Sequence, residues 1–406
     1  MLKPKTLTIS YLFLTVCLFL YSYTQVDLNL TISQWSIWQV IQKAFQYIGW
    51  FQRPLSTTLY TLLLALFFTC YFAMLQLVKK GKLTQSHFWH LIIPISVILL
   101  FSYNAFSYDL FNYMFDARII TLHHLSPYGY KALDFPQDPW VNFMRWTHRT
   151  YPYGSVWLAL TVPLSFIGLQ YFLPTLFLFK ALMVGSFLGT VYFIGKILEK
   201  VSPSEKLFGM AFFALNPLVI FESLVSAHND IVMMFFAMMG TYFLIRRKYV
   251  FAYGALWFSA QTKFINDGMP DMLQIILPIL MVVGVALLWG FRSKIENKLW
   301  NMFFFCGGIG MIIAMIFASG RTELQPWYFI WPLSFAALLV KRWEIVLATI
   351  PVSIGLLLHY VPFLYTGNWD PPIPTIKLGI TGISIALGLF MACGYFIFLQ
   401  QSFKRK

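Results

Sequence analysis

The sequence predicts an all-α, polytopic integral membrane protein with about twelve transmembrane helices. Two observations carry that reading. Of 406 residues, 59% are hydrophobic and only 11% charged, with a mean hydropathy of +0.69; a soluble domain of that balance would expose large apolar patches. Apolar segments also recur from end to end with no polar block long enough to fold alone, so residues 1–406 read as one transmembrane domain. Cys17, Cys70, Cys306 and Cys393 lie in apolar segments without zinc-type or redox-type spacing, which predicts packing residues and no disulfide.

A spanning helix needs roughly 20 apolar residues. The first candidate, residues 7–23, follows Lys3 and Lys5 as a signal peptide would, but it lacks a small-residue cleavage site and reads as an uncleaved helix. Residues 57–78 and 88–103 complete three N-terminal spans within 1–105. Residues 106–172 form a polar loop with surface helices. Nine further spans are expected within 173–399, over 173–198, 207–226, 231–245, 250–264, 272–291, 299–318, 327–340, 345–361 and 376–399, before a basic tail at 400–406.

Orientation follows from the basic clusters, because short cytoplasmic loops carry an excess of Lys and Arg. Lys79, Lys80 and Lys82; Lys196, Lys200 and Lys206; Arg246, Arg247 and Lys248; Arg292, Lys294 and Lys298; Lys341 and Arg342; and Lys404, Arg405 and Lys406 all fall inside when both termini are cytoplasmic. The condition is that residues 153–167 form a short helix at the outer leaflet and do not cross. The cytoplasmic side then holds 19 of 29 basic residues with four acids, leaving ten bases against eleven acids elsewhere. The net charge of +14 is therefore a topology signal and not a nucleic-acid-binding surface.

The outer side holds the candidate chemistry. Asp109, Tyr113 and Asp116 are spaced i, i+4 and i+7, which places them on one helix face at the headgroup level. A solvated face of an amphipathic surface helix accounts for the same spacing. Arg118 suits an ion pair with Asp116 or a lipid phosphate. Adjacent His123 and His124 cannot face one point, and no HExxH or CxxC pattern accompanies them, so no metal site is predicted. His148 and Arg149 precede the Pro152 turn beside Tyr153, as phosphate donors or interfacial anchors.

Asn216 and Pro217 should break a helix in mid-membrane. Glu222 follows inside the apolar segment, where a carboxylate is costly and marks a functional site by default. His228, Asn229 and Asp230 open the next helix, although a plain N-cap would also account for Asp230. Lys180 and Lys263 are membrane-embedded cations whose natural partners are these acids or a phosphate. Arg321, Glu323 and Gln325 stand at an outer helix start, with Trp327 and Tyr328 as belt aromatics.

Taken in order, Asp109, Tyr113, Asp116 and Arg118 before SPY, then YPYG, NPL with AHND, TKF and QPWY resemble the GT-C superfamily of membrane glycosyltransferases. The nearest likeness is to polyprenol-phosphate-mannose-dependent mannosyltransferases. Three features depart from that pattern. The essential loop follows the third span and not the first, Ala117 stands where glycine is common, and TKF continues into polar INDGMPDM. The first departure implies an N-terminal addition with its own outer segment, residues 25–54.

The resemblance implies an inverting hexosyltransferase of the plasma membrane. Its donor would be a polyprenyl-phosphate sugar, mannose by inheritance from the family. Its acceptor would be a hydroxyl of a glycan, glycolipid or protein on the extracytoplasmic side. Asp109 is the first choice of general base and Asp116 the second. Arg118, His148, Arg149, Lys263 and Arg321 are phosphate candidates, while Tyr113, Tyr153, His228, Asn229, Asp230 and Gln325 would line the substrate sites. A monophosphate donor requires no cofactor, with a divalent metal still compatible. The competing class is a secondary transporter or lipid flippase using Glu222, Asp230 and Lys180 as an intramembrane polar site.

Overall fold

The computed structural model describes residues 4–263, 297–320 and 323–404. Every regular element among them is helical. Six helices are long and apolar enough to cross a membrane. They are α1 (Pro4–Thr24), α3 (Arg53–Lys79), α7 (Phe172–Val201), α12 (Asn297–Ser319, apolar from Leu299), the pair α14 (Trp343–Leu358) with α15 (Tyr360–Thr366), and α16 (Ile373–Lys404). A bent pair can form a seventh. α8 (Lys206–Ala214) and α9 (Pro217–Ile220) meet at 56° where Asn216 accepts a hydrogen bond from Leu218 N (3.0 Å) and Pro217 ends the upstream ladder.

The remaining expected spans are shorter. α4 (Gln85–Leu100), α10 (Asp230–Ile245) and α11 (Tyr249–Lys263) run 15 or 16 residues. The expected span over 327–340 is corrected: it is a 3-10 turn, Pro326–Phe329, then α13 (Ile330–Ala336), seven residues long. At about 1.5 Å per residue this helix covers only about 10 Å, and its residues are buried among neighbouring helices. The expected span over 272–291 lies outside the described residues.

The loop at 106–172 carries α5 (Asp109–Thr121), two 3-10 turns and α6 (Ser155–Ile167). α6 has 13 residues, about 20 Å, well short of a hydrocarbon core of about 30 Å. Between α1 and α3 the chain forms α2 (Ser36–Gln46) and a π-turn, Tyr47–Phe51. α5 is only partly a surface helix: Asp109, Asn112, Asp116 and Ile120 form one half-buried stripe. Leu110, Phe111, Tyr113, Met114, Phe115, Ala117, Arg118, Ile119 and Thr121 are all buried, because α6, α7 and the turn at Pro139–Phe143 close around the helix. Phe111, Phe143 and Phe172 form one aromatic packing unit there, with ring centroids 5.1–6.0 Å apart.

Candidate active site

Ionisable residues from distant parts of the chain meet at one end of the bundle. Ser107 Oγ accepts from Asp109 N (3.1 Å) and sets the start of α5. The helix then presents Asp109, whose side chain is 17% exposed, toward the turn between the π-helical Phe221–Val225 and α10. That turn is wound unusually. His228 N donates to Glu222 O (3.0 Å) and Ala227 sits at φ 55°, so Glu222 and His228 both point inward. A π-turn of this kind re-aims side chains and recurs at functional sites.

The result is a line of buried groups. His228 Nδ1 lies 3.4 Å from Asp109 Oδ2 and His228 Nε2 lies 3.4 Å from Glu222 Oε2. Tyr360 donates to both Glu222 oxygens at 3.0 and 3.2 Å. The imidazole stacks on Trp327 with centroids 3.7 Å apart. His228 is fully buried, and among the described residues its two ring nitrogens face only these carboxylates, at the long end of hydrogen-bonding range.

Beside this line stands an ion pair. Lys263, the last residue of α11, donates to Asp230 Oδ2 (2.9 Å) and Asn229 Oδ1 (2.8 Å). Trp331 Nε1 donates to the other Asp230 oxygen (2.6 Å), and Tyr113 approaches Asn229 Oδ1 (3.4 Å). Asp230 is thus an ion-pair partner and not a side-chain cap of α10. Tyr153 and Tyr328 place their rings 5.5 and 5.7 Å from the Lys263 ammonium. Tyr153 reaches it because Gly154 runs against α11, where an added Cβ would come 2.0 Å from Gln261 O.

The two acids of α5 differ electrostatically. Burial opposes ionisation of Asp109, but the contact with His228 and the charges of Lys263 and Arg149 outweigh it and hold the carboxyl below its ordinary range. Burial pushes His228 itself down, so at neutral pH it faces Asp109 as a neutral ring. Asp116 has no hydrogen-bond or ion-pair partner among the described residues, and burial pushes it up to about 8. Its carboxyl is therefore largely protonated at neutral pH. Stability carried by a raised carboxyl is present below the unfolded value near 4 and is lost as pH rises toward the folded one. Asp116→Asn should accordingly stabilise the protein above pH 8 and have little effect near pH 4, as thermal unfolding in nanodiscs across that range will show.

Other expected site residues go elsewhere. Arg118 donates to Asp138 Oδ2 (2.7 Å) and to the Gln170 side chain and carbonyl (3.1 and 3.2 Å), with Trp140 stacked on its guanidinium. It shares no contact with Asp109. It ties the loop at 134–143 to the α6–α7 turn, and Arg118→Ala should cost about 1.5–3 kcal/mol of stability while transfer per folded molecule stays near wild type. His148 is exposed, and Arg149 is exposed over the Trp146 ring. The Gln325 side chain donates to Glu323 Oε1 (3.4 Å). Arg321 lies outside the described residues.

Lys180 donates to Ser102 O and Oγ (both 2.7 Å), so its expected pairing with the buried acids is corrected. A carbonyl and a hydroxyl one helix away satisfy it first. The residues that sequence reasoning missed are Tyr360 and Trp331, and Trp327 in its stacking role. Each touches the NPL–AHND stretch from more than 90 positions away.

A bundle of apolar spans with a buried polar constellation at one end is an integral membrane protein with a built site. The chain belongs to the alpha-(1->6)-mannopyranosyltransferase, N-terminal domain family, whose model matches residues 23–289. It is a membrane glycosyltransferase of a GT-C-type mannosyltransferase family. No curated protein and no solved structure matches the chain. The Tyr360, Trp327 and Trp331 contacts all come from beyond residue 289, outside the matched region.

Proposed function

We propose that the protein moves mannose from a polyprenyl-phosphate donor to an acceptor hydroxyl on the extracytoplasmic side, with inversion, using Asp109 as general base. The carrying observation is the placement of Asp109, whose side chain is 17% exposed and lies 3.4 Å from His228 in the polar line, with Lys263 favouring its ionised form; Asp116 has no partner among the described residues and burial raises its pKa to about 8. A base must be unprotonated and must reach its substrate. In the step itself the acceptor oxygen attacks C1 of the sugar as the C1–O bond to phosphate breaks. The hydroxyl proton passes to Asp109, and the bonding pair leaves with polyprenyl phosphate through an oxocarbenium-like transition state.

Lys263 is the favoured phosphate contact. An ammonium has three donors, and Asn229 and Asp230 take two of them among the described residues. Arg149 adds charge near Asp109. His228, backed by Glu222 and Tyr360, stands behind the base, 3.4 Å from Asp109 Oδ2, and supports its ionised form.

Chain order supports the assignment of side. α10 starts in the site and ends at Arg246–Lys248; α11 starts after that cluster and ends in the site at Lys263. α14 likewise starts after Lys341 and Arg342 and leads to Tyr360 in the site. Positive ends inside put Asp109 outside, with α6 in the outer leaflet. The test is transfer from synthetic polyprenyl-phosphate mannose in sealed right-side-out vesicles to a membrane-impermeant acceptor. Product should form without permeabilisation. Product that appears only after permeabilisation overturns the side, and none in either condition overturns the reaction.

A further inference from the structure

The segment between α1 and α3 has reversed polarity. Ile37, Val40, Ile41, Ala44, Tyr47 and Phe51 recur at helical spacing over α2 and the π-turn, and all are exposed, Val40 by 70%. The opposite face, normally apolar in a protein-packed helix, carries buried glutamines. Gln42 donates to Leu30 O (2.6 Å) and accepts from Ile32 N (3.2 Å); Gln46 donates to Asp27 O (3.0 Å). Trp50 Nε1 donates to Val26 O (2.9 Å), and at Gly49 an added Cβ would come 1.8 Å from Thr24 O. The glutamines thus satisfy loop carbonyls that would otherwise be stranded in an apolar setting.

Both flanking helices are long and apolar enough to cross a membrane, which would hold the chain between them at a membrane surface. We propose that α2 and its π-turn lie flat in one leaflet as a monotopic anchor, with the apolar stripe in acyl chains and the glutamine face on the protein. The occupant of that stripe is lipid. Lys43, exposed beside it, has a stem long enough to reach the headgroups.

The anchor is wired to the site. Asp27, on the loop that the glutamines hold, accepts from Tyr108 (2.9 Å) and pairs with Arg145 (3.5 Å). Tyr108 immediately precedes Asp109. α2 therefore sets the depth of α5 relative to the bilayer surface, whatever reaction Asp109 serves.

The test uses the full chain in lipid nanodiscs with the four free cysteines replaced and nitroxide labels at Val40→Cys, Ala44→Cys and, as a water-facing reference, Gln137→Cys. The two stripe positions are exposed, so the labels leave packing intact. Collisions with oxygen should exceed those with a nickel chelate several-fold at positions 40 and 44, with the order reversed at 137. Nickel access at position 40 equal to that at 137 would mean a water-facing helix. Exclusion of both probes with spin–spin broadening would mean a second copy of the chain on this face. Either result overturns the proposal.

Discussion

Asp109→Asn will lower mannosyl transfer about 100- to 10,000-fold, the range expected when a positioned general base is removed. The substitution keeps the shape of the side chain and takes away the proton acceptor. The favourable interaction of the carboxylate with His228 and Lys263 is lost as well, so transfer is to be compared per folded molecule. The loss should fall on kcat, with donor KM within a few-fold of wild type, since phosphate recognition rests on other residues. Asp116→Asn is the matched control: a residue that is neutral at the working pH should retain most of its activity as an amide. Transfer from polyprenyl-phosphate mannose by the two purified variants decides the assignment, and an active Asp109→Asn protein would remove Asp109 from the mechanism.

Lys263→Met should be the most damaging single change to the fold of the site. Asp230 is fully buried, and its Oδ2 depends on the Lys263 ammonium, itself 10% exposed. Removing one partner of a buried pair leaves an uncompensated charge and costs about 3–5 kcal/mol. The same change removes the favoured phosphate contact, so donor affinity falls together with stability. The double variant Lys263→Met/Asp230→Asn separates the two effects. It should regain most of the lost thermal stability while staying inactive. A double variant no more stable than the single one would mean that the ion pair is not what Lys263 contributes.

What could be read from the sequence divides along physical lines. Local spacing found Asp109, Tyr113 and Asp116, because helical periodicity is a short-range property. It also found the break at Asn216 and Pro217, where proline chemistry leaves no alternative. The buried Glu222, His228 and Asp230 stood out because such groups are costly in an apolar segment. Their partners did not stand out. Tyr360 and Trp331 are ordinary residues in apolar helices, and only tertiary packing turns their O–H and N–H toward an acid. Lys180 shows the reverse failure: a charge with an obvious acidic partner found a carbonyl and a hydroxyl closer by. The burial of the other faces of α5 was not legible, because aromatic residues that cover them come from 143 and 172.

The contacts of Tyr360, Trp327 and Trp331 bear on how this molecule can be divided. The family boundary at residue 289 separates Glu222, His228 and Asp230 from the phenol, the indole ring and the indole N–H that complete their surroundings. A fragment cut there would keep Asp109, Glu222 and Asp230 and lose the phenol and indoles packed around Glu222, His228 and Asp230. The matched region is thus completed by side chains from outside it. Drift in the less recognisable C-terminal third could retune the reaction without altering a residue inside the family match.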